Sequence, residues 1–343
     1  MAWWRARREL VVVVGISSAI GAGVGLAVAG DTVRGLAQGA LSGALVSLAA
    51  RAIGPIVERT GLERRPFGVY VAVSAVVNAL TIVAALAVAA LPWALAHGSA
   101  GLDSYRIPFA VACLASLGFT AWFSLDRLLG QGVLVGLLTG RYHRPRIEER
   151  IFLFADLVDS TALAERLGGL RFHSFLNRLW SDLAPAVQRH GGTIHRYIGD
   201  QLEVTWSVER GRRNASCLRC ASELLRAVSE ASPVYAREYD VVPRLRLALH
   251  AGPVVVGELG AVKRDIAYSG DTLNTTSRIE GVAKQIDADM VVSADLLRGL
   301  DLPAGLAARP LGPRRLRGKQ REVELFVVEP PPAGVELLAR GRG

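Results

Sequence analysis

The chain has 343 residues, of which 51% are apolar and 21% charged, with a formal charge of +9 and a mean hydropathy of +0.30. That length admits two ordinary domains, and the apolar excess is concentrated: no Asp, Glu, Lys or Arg lies between Pro66 and Leu102, whereas charges recur every few residues after Arg141. A wholly soluble protein, a disordered chain and a disulfide scaffold are excluded, since three cysteines leave at least one unpaired.

Many of the cations sit at the ends of apolar runs, which is membrane topology rather than a nucleic-acid groove. Arg5, Arg7 and Arg8 precede the first run, and Arg51, Arg59, Arg64 and Arg65 separate the second from the third. Arg141, Arg144 and Arg146 follow the last. The runs Leu10–Ala29, Gly35–Ala50, Phe67–Ala96 and Ile107–Leu125 predict four membrane helices near 10–29, 33–52, 68–92 and 107–125. By the charge bias, both termini lie on the cytoplasmic side of the cell membrane. Gly35, Gly39 and Gly43, with Gly21 and Gly25, predict close helix packing. Residues 1–139 are therefore expected to form a membrane domain in the lipid bilayer, with Leu128–Leu138 as an amphipathic or interfacial helix leading out. A basic junction at 140–150 and a flexible tail at 330–343 then flank the second domain, 151–329.

The second domain reads α+β. Ile151–Leu157 is strand-like, and a helix runs from Thr161 to about His190. Thr193–Ile198 and Gln201–Trp206 flank a Gly199–Asp200 turn, and a helix covers roughly Asn214 to Ser229. Arg244–His250 and Val254–Leu259 read as a strand pair around Ala251-Gly252-Pro253. A strand into Tyr268, a helix Thr272–Lys284, and strands at Met290–Val292 and Val323–Val328 complete the order. A βαββαβ order with extra strands is the ferredoxin-like plan.

Asp156 stands inside an apolar strand, where a carboxylate is costly unless paired or bound to a cation. Asp200 tips the hairpin. If the two converge, hard oxygen ligands without histidine or thiol suit Mg²⁺ or Mn²⁺. After Asp156 the chain enters a helix through Asp159, Ser160 and Thr161; its first amides can take phosphate, or Ser160 or Thr161 can simply cap it, and Asp159 reads as an added outer carboxylate or as a cap. Cys217 and Cys220 share a helix face and read as packing, as does His250 in its strand; Glu203 has no evident role.

Five stretches together resemble the catalytic domain of class III nucleotidyl (adenylate/guanylate) cyclases: FADLVDSTALAERLG at 154–168, GGTIHRYIGD at 191–200, LALHAGPVVVGELG at 247–260, DIAYSGDTLNTTSRIE at 265–280 and LRGKQREVELFVV at 316–328. The resemblance implies conversion of a nucleoside triphosphate to its 3′,5′-cyclic monophosphate and pyrophosphate. It implies two cations, Mg²⁺ or Mn²⁺, on Asp156 and Asp200, with Asn274 orienting the ribose and Arg278 stabilising charge on the α-phosphate. Asp265 and Arg196 would face the base, and Arg317 or Lys319 would bind triphosphate. It also implies a homodimer whose sites draw on both chains. Two positions depart from the pattern: Arg196 stands where the family often has lysine, and Asp159 where it often has glycine. Asp265 points to ATP. The expected protein is thus an α+β, ferredoxin-like cyclase domain behind about four membrane helices, an adenylate cyclase that binds ATP and no nucleic acid. The alternatives are a guanylate cyclase and a catalytically silent membrane receptor module.

Overall fold

A computed structural model describes residues 133–329 apart from 263, 264 and 320, the helix Phe67–His97, and scattered positions at 14–48 and 110–125. The chain divides into two units, Met1–Leu128 and Leu129–Gly343. The first, second and fourth expected spans and the 330–343 tail lie largely or wholly outside the described residues.

In the first unit, helix α1 (Phe67–His97) runs for 31 residues. Helical backbone also meets backbone at Gly21, Gly39 and Gly43. A Cβ on Gly21 would strike the Gly39 carbonyl, and one on Gly43 would strike that of Ser17. The glycine spacing read from the sequence thus serves contacts within this chain. Among the described residues no helix is long and apolar enough to cross a membrane.

The second unit is built on period-two alternation in strand β1 (Arg146–Leu157). Ile151, Leu153, Ala155 and Leu157 join the main core, while Phe152 and Phe154 join a separate cluster on the opposite face. The main core is covered by helices α4 (Gly169–Arg189) and α6 (Ser216–Tyr239), both strongly amphipathic. Phe175, Leu179, Trp180 and Leu183 of α4 are buried there, each stabilising the fold by roughly 1.5–3 kcal/mol. Strands β2 (Thr193–Ile198), β3 (Gln201–Ser207) and β4 (Leu245–Leu259) complete the central sheet. Their order, β2-β3-β1-β4, is antiparallel throughout, which is the ferredoxin-like arrangement expected. Strands β6 (Met290–Ser293), β8 (Val323–Glu329) and β7 (Ala307–Arg314) extend it beyond β4, and β5 (Asp265–Ser269) pairs with the far half of β4. Helix α7 (Asp271–Gln285) packs on the Phe152 side through Leu273 and, against Ala248, through Ile279 and Ala283.

Several expectations are corrected. The 140–150 junction is not a separate segment, because Arg146 already pairs with Val256 as the start of β1. Of the expected amphipathic or interfacial helix, the described part is α2 (Val133–Leu138), whose Val133 and Leu137 pack on the Phe152 cluster. The long helix from Thr161 is two helices, α3 (Ser160–Leu167) and α4, split at Gly168 with φ 73°. Gly252-Pro253 makes no turn, and β4 runs straight through it. Gly252 instead gives room to α7, since a Cβ there would lie 2.7 Å from Thr272 Oγ1. Strand β7 is not among the expected strands; it holds Pro310, Gly312 and Pro313 and is an edge strand with a register shift, where proline is tolerated. Helices α5 (Val208–Arg212) and α8 (Ala294–Leu297) also escape the periodicity, being only 5 and 4 residues long.

Candidate active site

Asp156 is the second-last residue of β1, paired with Gln201 of β3 on one side and Arg246 of β4 on the other. Asp200 follows Gly199, whose φ of 61° makes the turn. The two aspartates converge as expected, near enough for the charge of Asp200 to act on Asp156. Burial, then the charge and hydrogen bond of Asp200, push Asp156 up to about 6, with Lys284 and Arg246 pulling the other way. Two converging carboxylates form a hard-oxygen pair that a divalent cation can neutralise, so the donor set fits Mg²⁺ or Mn²⁺. Among the described residues, no group of three or more His, Cys, Asp or Glu side chains is arranged to hold a metal.

The sequence reading missed the supports of this pair. Gln201 Nε2 donates to Glu280 Oε2 at 2.7 Å, tying the strand after the turn to α7. Burial first, then Asp156 and Asp200, push Glu280 up to about 7. Helical periodicity offered a signal: at 100° per residue, Glu280 and Lys284 share one flank of α7 while Asn274 and Arg278 share the other. Thr272, Thr275, Thr276, Ile279 and Ala283 fill the buried stripe between them.

On that other flank Asn274 is exposed and Arg278 is partly exposed. Lys319 Nζ bonds Asp271 Oδ2 at 2.7 Å, and Arg278 Nη1 lies 3.9 Å from Asp271 Oδ1. Arg278 Nη1 is buried without a hydrogen bond, a donor free for an anion. The loop before Lys319 touches the guanidinium, since a Cβ on Gly318 would meet Arg278 Nη2 at 3.4 Å. Of the two expected triphosphate cations, Lys319 is therefore brought to Arg278. Arg317 is exposed and has no such contact.

Arg196 and Asp265, distant in sequence, converge on His195. Burial, with the Arg196 charge, lowers His195 to about 4, while the Asp265 charge opposes this. The imidazole stacks edge-on against Tyr268 with 4.7 Å between ring centroids. The Arg150 guanidinium lies over the same tyrosine at 5.3 Å.

Ser160 and Thr161 begin α3, near Asp156 in sequence, and neither is the N-cap. That position is Asp159, which adopts φ 55° and accepts no capping hydrogen bond. The cap reading of Ser160 and Thr161 is thereby corrected, while Asp159 holds the cap position without capping through its side chain; a left-handed residue there explains why glycine suits the position. The bland readings of His250 and the cysteines hold. His250 Nδ1 pairs with Ser293 Oγ at 2.8 Å inside the core. Cys217 and Cys220 are buried, free thiols, and burial pushes Cys217 up to about 12.

Residues 143–330, more than half of the chain, match the family model described as the adenylate and guanylate cyclase catalytic domain. This chain belongs to that family. It is 43% identical over 199 residues to a protein named adenylate cyclase 2 from Rhizobium meliloti (strain 1021), covering 58% of this chain and 55% of that one. It is 26% identical over 184 residues to an adenylate cyclase of Anabaena cylindrica, covering 52% and 36%. Against human retinal guanylyl cyclase 1 it is 28% identical over 211 residues, covering 59% and 19%. The chain thus spans about half or less of the length of these relatives. Among solved structures, a bacterial light-regulated adenylyl cyclase superposes with a TM-score of 0.53 at 18% identity, covering 64% of this chain and 63% of that one, a likeness of fold.

Proposed function

We propose that this chain is an adenylate cyclase that closes ATP to 3′,5′-cyclic AMP in a homodimer with shared sites. The observation that carries the dimer is the division of α7. Its Asn274 and Arg278 flank points away from the flank that backs the chain's own Asp156 and Asp200. A complete set of groups around one nucleotide therefore calls for the aspartates of one chain and the Asn274–Arg278 flank of another.

In such a site, the ribose 3′-oxygen attacks the α-phosphorus, its proton leaves, and the bond to the β-phosphate oxygen breaks to release pyrophosphate. Asp156 and Asp200 would hold Mg²⁺ or Mn²⁺, two per site, which when bound make the 3′-hydroxyl more acidic and neutralise the triphosphate. Arg278, with a donor to spare, stabilises the negative charge that builds on the α-phosphate. Asn274 orients the ribose from the same helix flank, and Lys319 neutralises the leaving pyrophosphate. The first amides of α3, at Ser160 and Thr161, add donors for phosphate. Asp265 accepts from the adenine amino group and Arg196 donates to the ring. The adenylate cyclase relative at 43% identity supports ATP as substrate.

Turnover by the full chain, offered ATP and GTP separately with Mg²⁺ and with Mn²⁺, tests this reading. Cyclic AMP that vanishes in Asp156→Ala and in Arg278→Ala, and returns when the two variants are mixed, is the expected result. Product from neither nucleotide would overturn the enzyme reading, and a mixture that stays inactive would overturn the shared site.

We further propose membrane anchoring with the catalytic domain on the cytoplasmic side. Its support is the charge-free run Pro66–Leu102 and the arginines at the ends of the apolar runs. Retention in the membrane pellet after an alkaline wash is expected; release into the supernatant would refute it.

A further inference from the structure

Glu203 stands in β3 between apolar neighbours, and the fold gives it a setting that its sequence position did not. It is 5% exposed; burial pushes its carboxyl above the usual range, and the charge of Arg196, its partner across the strands, opposes that. A buried carboxylate is costly unless a nearby cation compensates it, so a native structure that keeps one calls for an account of how that cation is placed.

The pairing of β2 with β3 supplies it. Ile194 pairs with Val204 and Arg196 with Glu203, so the register skips His195. This is a β-bulge, and a one-residue slip sends every following side chain to the opposite face. Without the slip His195 would stand opposite Glu203, and Arg196 would oppose Leu202 on the face of the main core. With it, Arg196 shares a face with Glu203, Phe154 and Asp156. The His195 ring against Tyr268 holds the bulge in place. Arg196 is itself exposed, so its guanidinium can reach a ligand while its strand partner is the buried carboxylate.

We infer that Glu203 is a specificity-determining positioning residue: it holds the Arg196 guanidinium as a donor towards the nucleobase and so favours adenine over guanine nucleotides. The inference rests on the proposed base-reading role of Arg196 and Asp265. Adenine offers an amino donor beside the N1 acceptor, which a carboxylate and a fixed guanidinium complement. Guanine offers the O6 acceptor beside an N1–H donor, so both contacts become repulsive. An arginine released from its carboxylate can turn its fork onto O6 and N7 of guanine, the pairing that arginine makes best with a base. Glu203 touches no reacting atom, and acts through Arg196.

The test is the ratio of kcat/KM for ATP to that for GTP, measured on the full chain with Mn²⁺. Glu203→Leu is expected to lower this ratio at least tenfold and Glu203→Gln, which keeps shape and a hydrogen-bond acceptor, by a smaller factor. A role in packing alone would depress both nucleotides in parallel and leave the ratio unchanged, and that result overturns the inference. If Glu203→Leu does not fold, Glu203→Gln decides: a ratio within twofold of the parent refutes it. Arg196→Met separates the two levels. A shifted ratio there with an unshifted one in both Glu203 variants refutes the positioning role alone. An unshifted ratio in Arg196→Met removes the base-reading premise, and the inference falls with it.

Discussion

At Asp159 a residue-level departure from the family pattern becomes a statement about backbone. Its φ of 55° places an L-residue in the left-handed region, and its side chain caps nothing, so the aspartate offers no local compensation for that conformation. Asp159→Gly is expected to keep or raise the melting temperature, by an amount corresponding to about 0.5–1 kcal/mol. A drop in Tm would mean that the carboxylate has a partner beyond this fold. A second residue-level expectation concerns the two cations near the end of the chain. Lys319, bonded to Asp271 beside Arg278, should raise KM for ATP or lower kcat by roughly tenfold or more when changed to alanine. Arg317→Ala should stay within about twofold, since Arg317 meets nothing on that flank; equal losses in steady-state assays would contradict the assignment.

At the scale of elements, α7 carries Asn274 and Arg278, and its contact with β4 is set by Gly252. A Cβ there would lie 2.7 Å from Thr272 Oγ1, the group that donates to the Pro253 carbonyl at 2.7 Å. Gly252→Ala must push the start of α7 outwards, and overpacking of this kind costs about 1–3 kcal/mol. Chemical denaturation should show that loss. Asn274 lies two residues after Thr272, so kcat should fall more than KM rises; an unaltered kcat in a destabilised variant would mean that α7 had not moved. The order of elements was legible because the alternation in Ile151–Leu157 and the amphipathic run of α4 reflect burial directly. The break at Gly168, the straight course of β4 and the existence of β7 were not legible. Glycine and proline mark turns in a sequence, but in this fold they serve a left-handed link, a helix approach and a sheet edge.

For the whole molecule, buried histidines give a pH signature. Burial lowers His250 from 6.5 to about 4 in the folded chain. Between those values the unfolded chain binds a proton that the folded chain refuses, so this contribution is intact above pH 6.5 and is lost as pH falls towards 4. The raised carboxylates Asp156 and Glu280 act in the opposite sense, so the comparison must be between variants. Relative to His250→Gln, the parent chain should lose denaturation midpoint from pH 7 to pH 4; parallel profiles would show that His250 does not titrate as its burial requires.

The candidate site residues and the class of fold were determined by the sequence itself. Asp156 in an apolar strand, Asp200 at a hairpin tip, and Asn274 and Arg278 one helical turn apart are local patterns, and local patterns follow from strand and helix periods. The tertiary structure decided which groups meet. It brought Lys319 rather than Arg317 to Arg278, tied Glu280 to Gln201, and turned Arg196 onto the face of Glu203 by one skipped residue. Those outcomes depend on register and on the angle at which helix meets sheet, and neither is written in the spacing of residues along one segment.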